Sequence, residues 1–109
     1  MNPIRATNAP YFRLRIAWDG SPIVSAELLA PRAWNLALHP DPSCTFWTVS
    51  DASTGRLVAT GWTRDEAINE AHHRLQTAAD AHGLSIEALL DAVRASARHF
   101  PGQDEEESE

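Results

Sequence analysis

The sequence contains no lysine, and its nine basic residues are all arginines. Alanine is frequent instead, and this combination predicts the coding bias of a GC-rich bacterial or phage genome. Arginine keeps its charge in any environment, and its planar guanidinium pairs well with carboxylates and phosphates. The few basic positions are therefore suited to binding acidic groups, although the whole chain has a formal charge of −6.

Cysteine and long apolar runs are also scarce. The single cysteine, Cys44, cannot form a disulfide within one chain, and it is interpreted as a small buried residue. Apolar stretches end well before the roughly 18 residues that a membrane-spanning helix needs, and the N-terminus has no signal-peptide core. These absences predict a cytoplasmic protein that does not bind membranes.

The acidic residues are concentrated at the C-terminus. The last six residues hold five of the fifteen, namely Asp104, Glu105, Glu106, Glu107 and Glu109. A segment this acidic buries too little apolar surface to offset its ordering entropy, so residues 101–109 are predicted to form a disordered acidic tail. The tail either keeps the protein soluble or binds a basic partner.

The rest of the chain is long enough for one domain. Residues 1–10 are predicted to be a flexible lead-in, and residues 11–100 a single α+β domain. Polar and apolar residues alternate through YFRLRIAW, residues 11–18, which is the period of a strand with one buried face.

The next two segments have weaker patterns. Residues 22–29 can pair back as a second strand, but Ser21 followed by Pro22 would equally start a short helix, and both alternatives stay open. Residues 31–40 begin and end with proline and place apolar residues at helical spacing, so they predict a short helix.

A hairpin and a helix are predicted from the run that follows. CTFWTVS and RLVATGW are rich in residues that favour strands, and the DASTG between them is a turn in which Gly55 can take a positive φ. Thr63 and Glu66 then match a capping box at the start of a helix that ends at Gly83. Ser85 is predicted to cap a last helix, whose inner face includes Val93.

Strands that precede helices and are joined by short turns indicate an α+β fold. We expect a small antiparallel sheet of three or four strands with two C-terminal helices packed on one face, a two-layer sandwich. Most of the four tryptophans are expected to lie in the core or at its rim.

The residues that could carry chemistry do not form a recognisable motif. His72 and His73 are adjacent, so on a helix they point about 100° apart and cannot bind one metal ion together. No local pattern joins Cys44 or a serine to a histidine base. Asp65 and Glu66 are explained by the start of the helix. We therefore expect no enzyme activity, no cofactor and no metal site.

One compact basic and aromatic patch stands out. Tyr11, Arg13 and Arg15 share the outward face of the first predicted strand, where they can hold single-stranded nucleic acid by stacking and phosphate contacts. Alternatively, the two arginines pair with acids on neighbouring strands.

The passage GRLVATGWTRDEAINEA resembles a segment of HicB-like antitoxins. Gly61, Thr63, Glu66 and Ala67 match its pattern of strand, Gly-x-Thr-x-x-Glu-Ala and helix, and the resemblance covers residues 55–75. In that family the segment closes a small sheet against a helix and leads on to toxin or DNA binding. The resemblance thus implies a regulatory role and a small sheet packed on a helix.

Together these features favour a non-catalytic bacterial or phage interaction or regulatory protein that binds another macromolecule, with a protein as the expected partner. The alternative is a nucleic-acid-binding protein that uses Tyr11, Arg13 and Arg15. A homodimer is also predicted if residues 11–18 or 44–50 lie at a sheet edge, because neither strand carries a proline or lysine that would block pairing.

Overall fold

The computed structural model describes residues 4–7, 10–18 and 20–98 of the chain. Within these ranges an antiparallel sheet precedes two helices, as the α+β prediction requires. The strands and helices are β1 (Arg5–Ala6), β2 (Phe12–Arg15), β3 (Ile23–Ala30), β4 (Leu36–Pro40), β5 (Trp47–Asp51), β6 (Leu57–Gly61), α1 (Arg64–His82) and α2 (Ile86–Arg98).

The sheet has six strands, not the three or four predicted. Both β1 and β2 pair with β3, and from β3 the order continues through β4 and β5 to β6. Strand β5 pairs with β4 on one side and with β6 on the other, so it lies inside the sheet. In the described part of the chain, β1, β2 and β6 each pair with one strand only and present an unpaired side.

Strands β1 and β3 lie in segments that were not clearly predicted as strands from the sequence. The flexible lead-in predicted for residues 1–10 is wrong at its centre, because Ile4 is buried in the core and Arg5–Ala6 pairs with β3. The open question over residues 22–29 is resolved as strand β3, which pairs on both sides.

The short helix predicted over residues 31–40 is also wrong. Only Arg32–Trp34 forms a helical turn, of the 3-10 type, and Asn35 ends it in the left-handed conformation with a φ of +54°. The chain then enters β4, whose residues alternate between the two faces of the sheet. The spacing of the apolar residues here fits both a helix and a strand. Hydrogen bonding to β3 and β5 selects the strand.

Gly55 explains how the sheet curls over itself. The chain beyond β2 crosses the turn between β5 and β6, where the Ala17 amide donates to the Gly55 carbonyl oxygen at 2.7 Å. A Cβ on Gly55 would overlap the Arg15 carbonyl oxygen, and its φ of +75° also favours glycine. The close crossing lays the apolar side of β2 over one face of the sheet.

Hydrophobic residues fill both faces of this curled sheet. The larger cluster lies between the sheet and the helices and includes Leu29, Leu36, Leu38, Val49, Ala59, Ala71, Leu75 and Leu89. The smaller cluster lies on the other face, under β2, and consists of Leu14, Ile16, Ala26 and Ala37 with partly buried neighbours. The helices therefore cover one face, and the curl of the sheet covers the other.

Both helices begin as the sequence predicts. The Thr63 hydroxyl accepts a hydrogen bond from the Glu66 amide at 3.1 Å, and the Glu66 carboxylate accepts one from the Thr63 amide at 3.3 Å. Gly83 ends α1 in the left-handed conformation. The Ser85 hydroxyl accepts from the Ala88 amide at 3.1 Å before α2.

Two side chains predicted to be buried are exposed. Cys44 lies in the loop before β5 instead of in the core. Val93 of α2 is 45% exposed because the helix leaves a groove open beside it. None of the helices in the described ranges is long and apolar enough to cross a membrane.

Candidate binding surfaces

The structure brings Tyr11, Arg13 and Arg15 together on one exposed face of β2 and the residue before it. We call this surface the β2 strip. The residues opposite the two arginines on β3 are Ser25 and Ile23. Pairing with an acid directly across the strand, which the sequence leaves open, therefore does not occur.

Arg64 at the start of α1 lies next to the β2 strip. Its Nη2 donates to Glu27 Oε1 at 2.7 Å, and its guanidinium carbon lies 5.2 Å from the centre of the Trp47 ring. The hydrogen bond to Glu27 raises the pKa of Arg64, and Tyr11 adds a smaller effect in the same direction. Glu27 is only 3% exposed, so Arg64 serves first to compensate a buried carboxylate.

Phe46 and Trp62 form an exposed aromatic cleft where the β5–β6 hairpin opens. Their ring centres are 6.3 Å apart and their planes meet at 77°, the edge-to-face arrangement that aromatic pairs prefer. Thr60 and Gly61 complete the lining, and the space measures about 340 Å³. Trp62 is 73% exposed, which makes it the most exposed large apolar side chain in the described ranges. We call this the Phe46–Trp62 cleft.

A hydrogen-bonded loop fixes the Phe46 side of the cleft. Asp41 Oδ1 accepts from the amides of Thr45 and Phe46 at 2.6 and 2.8 Å, and Oδ2 accepts from the Ser43 amide at 3.0 Å. Desolvation alone would raise the pKa of Asp41, but the hydrogen bonds outweigh it and lower this pKa to about 2. The carboxylate therefore stays ionised and holds the loop at neutral pH.

The start of α1 fixes the other side. The Trp62 amide donates to Glu66 Oε1 at 3.0 Å, so the same carboxylate that closes the capping box also holds the backbone of Trp62. Both rings are thus carried by backbone segments that hydrogen bonds hold in place.

A polar cluster lies buried on the face of the sheet that the curl covers. His39 Nδ1 lies 2.8 Å from the Pro40 carbonyl oxygen, which can only accept, so this nitrogen carries the proton. His39 Nε2 then accepts from the Ser50 hydroxyl at 2.9 Å. Thr48 Oγ1 donates to the His39 carbonyl oxygen at 2.9 Å.

The Ser50 and His39 pair resembles a nucleophile with its base, but its surroundings favour a structural role. His39, Thr48 and Ser50 have no exposed surface, and the Trp18 ring stacks over the imidazole at 6.2 Å. Burial lowers the pKa of His39, and the Pro40 carbonyl and the charge of Asp41 oppose this shift only in part. The neutral imidazole therefore joins neighbouring strands as an internal hydrogen-bonding group.

The remaining predictions concern a metal site and the acidic tail. No group of three metal-ligating side chains occurs within residues 4–7, 10–18 and 20–98. The tentative tail site, Asp104 to Glu107, lies outside the described residues. The β2 strip is therefore the one predicted binding patch whose members the structure places together.

Comparison with known proteins adds no assignment. No family model, no curated protein and no solved structure matches the chain. The resemblance of residues 55–75 to HicB-like antitoxins stays a prediction.

Sequence reasoning does not identify the Phe46–Trp62 cleft, because it places most tryptophans in the core. The sequence contains one signal that bears on Trp62, namely its position immediately before the helix cap Thr63. The residue before a helix cap commonly packs against the fourth helical residue, which here is Ala67. Gly61 already packs against the Ala67 backbone, and Ala67 is fully buried, so Trp62 projects outward.

Proposed function

We propose that this chain is a non-catalytic binding module of a bacterial or phage regulatory system, and that it binds a partner protein through the Phe46–Trp62 cleft. The observation that carries the proposal is the exposure of Trp62, at 73% of its surface. Tryptophan is among the residues that contribute most to protein interfaces, because it buries a large apolar area with few rotatable bonds.

The shape of the cleft supports a protein partner. Its volume of about 340 Å³ suits one or two partner side chains, and its lining is mostly aromatic and backbone surface. Because hydrogen bonds hold both Phe46 and Trp62 in place, binding orders few additional groups. The enclosure of His39 and Ser50 further supports a binding role over hydrolysis.

The test is affinity capture from lysate of the host cells with the wild-type chain and with Trp62→Ala as baits, each with and without nuclease. We expect the wild-type chain to retain a defined protein in both conditions and Trp62→Ala to lose it. Unfolding by urea should show that Trp62→Ala changes the free energy of unfolding by less than about 0.5 kcal/mol, as is usual for exposed positions.

Ile23→Ala is the matched control. Ile23 is also an exposed apolar residue on a strand, at 44%, but it lies opposite Arg15 and away from the cleft. Its replacement should leave the partner bound. Recovery of the same protein by all three baits would refute the role of the cleft.

Nucleic-acid binding by the β2 strip is the second candidate function. The juxtaposition of Tyr11, Arg13 and Arg15, with no acid opposite either arginine on β3, favours it. An aromatic ring beside two guanidinium groups can stack on a base while the arginines contact phosphates.

Fluorescence anisotropy with labelled single-stranded DNA and RNA tests this candidate at several salt concentrations. We expect Arg13→Ala/Arg15→Ala to weaken binding and to reduce the slope of log affinity against log salt by about 0.7 for each phosphate that the variant no longer neutralises. Arg32→Ala, an exposed arginine outside the strip, should leave the slope unchanged. Absence of binding at low salt would eliminate this candidate.

A further inference from the structure

Carboxylates lie on both sides of the Phe46–Trp62 cleft. Asp41 accepts a hydrogen bond from the Phe46 amide at 2.8 Å. Glu66 accepts one from the Trp62 amide at 3.0 Å, so one carboxylate stands behind each ring. Asp65, in the first turn of α1, is exposed and takes part in none of the ion pairs that the described residues form. Three negative charges therefore lie close to the cleft.

Arginines do not balance these charges. Arg64 follows Trp62 by two residues, but Glu27 already compensates its charge. Arg56 adjoins the turn between β5 and β6, whereas the cleft lies at the other end of these strands, roughly 15 Å away at about 3.3 Å per residue. The arginines of the β2 strip are separated from β5 by β3 and β4 in the strand order. The positive end of α1 contributes only about half a charge, so the cleft is a negatively charged site.

The chain itself contains one example of how a tryptophan and a carboxylate hold a cation. The guanidinium carbon of Arg64 lies 5.2 Å from the centre of the Trp47 ring, and its Nη2 donates to Glu27 at 2.7 Å. Such a cation is attracted by the electron-rich face of the ring. Trp62 is a second tryptophan with a carboxylate close by in the chain, and 73% of its surface is exposed.

We propose that the partner protein places an arginine side chain in the Phe46–Trp62 cleft, with its guanidinium against the Trp62 ring and paired with Asp65. The proposal rests on the proposed function, because it names the chemistry of the partner that the same cleft binds. The space of about 340 Å³ holds one arginine side chain. The two rings, whose planes meet at 77°, provide one wall for the guanidinium and one for its aliphatic stem.

Charge and shape both favour arginine over other anchors. An apolar side chain would fill the cleft but would leave the nearby carboxylates without a complement. A lysine ammonium is more strongly hydrated than a guanidinium, and it cannot stack flat on an aromatic ring. The formal charge of −6 on the whole chain also favours encounter with a basic partner.

Titration of the full-length chain with three short peptides tests the proposal. The peptides are acetylated and amidated Gly-Arg-Gly and its analogues with citrulline or norleucine at the centre. Citrulline has nearly the shape of arginine but carries no charge, so it is the matched control ligand. We expect the indole N–H signal of Trp62 in NMR spectra to shift saturably with the arginine peptide. The citrulline peptide should bind at least about threefold more weakly, as the loss of a cation–π contact implies.

Three variants identify the groups responsible. Trp62→Leu keeps an apolar side chain but removes the ring, so the amide signals of residues 46 and 61 should show no preference for arginine over citrulline. Asp65→Asn removes the paired carboxylate and should reduce the preference by about twofold, an effect that added salt reproduces. Asp91→Asn neutralises an exposed acid on α2 and should leave the preference unchanged.

The proposal is overturned if the arginine peptide does not shift the Trp62 signal, or if the citrulline or norleucine peptide binds as tightly. Those results would leave the proposed function intact wherever the protein captured from lysate is lost with Trp62→Ala. Conversely, a captured protein that Trp62→Ala retains would refute the proposed function, whereas a measured preference for the arginine peptide would still stand as a property of the cleft. The two failures are therefore distinguishable.

Discussion

Glu27 is a buried carboxylate beneath the first turn of α1, and a single guanidinium compensates its charge. Its Oε1 accepts from Arg64 at 2.7 Å, whereas its Oε2 has no hydrogen-bond partner in the described part of the chain. A buried charge that loses its partner keeps its desolvation cost and gains nothing in return. The pair is therefore sensitive to changes on the arginine side.

We expect Arg64→Ala to lower the free energy of unfolding by about 2–3 kcal/mol, because it leaves the Glu27 carboxylate buried and unpaired. Adding Glu27→Gln to this variant should recover about 1 kcal/mol, since an amide costs less to bury than a charge. Urea denaturation of the two variants and the wild type provides the measurement.

Arg74→Ala is the matched control on the same helix. Arg74 bonds Glu70 at 2.8 Å across one turn, but both side chains are well exposed to solvent. Such surface pairs contribute little, so the change should stay within about 0.5 kcal/mol. Equal losses for Arg64→Ala and Arg74→Ala would contradict the role assigned to Glu27.

His39 makes stability depend on pH. Burial lowers its pKa in the folded chain below 6.5, the ordinary value to which it returns on unfolding. Below about pH 6.5 the unfolded chain therefore binds more protons than the folded chain, and stability falls as the pH is lowered.

We expect the free energy of unfolding to decrease from pH 7 to pH 5, with a slope of up to about 1.4 kcal/mol per pH unit from this one group. His39→Gln should be less stable at pH 7 but should lose much of the slope. A wild-type slope retained in His39→Gln would show that other groups cause it.

At the scale of elements, β6 and α1 approach each other very closely where the strand ends and the helix begins. Gly61 ends β6 beside the first turn of α1, and a Cβ there would overlap the Ala67 amide nitrogen and crowd the Glu66 carbonyl carbon. Both contacts are to backbone, which a rotamer change cannot relieve. The strand and the helix can approach this closely only because residue 61 has no side chain.

Gly61→Ala should therefore destabilise the protein by about 1–3 kcal/mol through overpacking. Gly20→Ala is the comparison, since a Cβ at Gly20 meets no atom within 4 Å and the cost comes from its φ of +83° alone. That cost is about 1 kcal/mol. If urea denaturation shows Gly61→Ala to be as stable as the wild type, the strand and the helix can separate at little cost.

Prediction from sequence succeeds for the elements whose signals are local. The capping box at Thr63 and Glu66, the hairpin turn with Gly55 and the C-terminal stop at Gly83 each depend on a few neighbouring residues, and all three are confirmed. The helix predicted over residues 31–40 is wrong because the spacing of the apolar residues there fits both a helix and a strand. Its partners β3 and β5 are separate segments of the chain, so local pattern cannot select between helix and strand.

At the scale of the whole molecule, the structure changes which strands could pair between copies. Strand β5 cannot be an edge, contrary to the alternative that residues 44–50 lie at one, because it is flanked by β4 and β6. Strands β1, β2 and β6 each have an unpaired side, but β1 has only two residues and one of them is Arg5. A dimer across β2 would bring Arg13 and Arg15 of two copies together, whereas β6 carries no charged residue.

We therefore predict a homodimer that pairs through β6. Sedimentation equilibrium over a range of concentrations should show a dimer for the wild type. Leu57→Lys places a charge on β6 and should shift the chain to monomer, since charged residues at an edge oppose pairing.

Ile23→Lys makes the same kind of substitution at an exposed apolar strand residue away from β6. The exposures of Ile23 and Leu57 are 44% and 45%, so the two variants differ mainly in position. Ile23→Lys should remain dimeric. A wild-type chain that sediments as a monomer at every concentration would remove the prediction.

Local sequence patterns are enough to predict the α+β class, the hairpin, the two helices and the alternation that exposes Tyr11, Arg13 and Arg15. These properties follow from turn residues, caps and periods that act over a few positions. Contacts between distant segments are needed for the other features, which are the strand at residues 36–40, the burial of Ile4 and His39, and the open groove beside Val93.

The exposure of Trp62 also depends on contacts between distant segments of the chain. Its outward position follows from the close packing of Gly61 on α1, and its edge-to-face contact follows from the Asp41 loop that positions Phe46. Whether a side chain is buried depends on which distant segments pack against it, and the neighbouring residues in the sequence do not reveal this. The cleft and the groove therefore both arise where strands, loops and helices from separate parts of the chain come together.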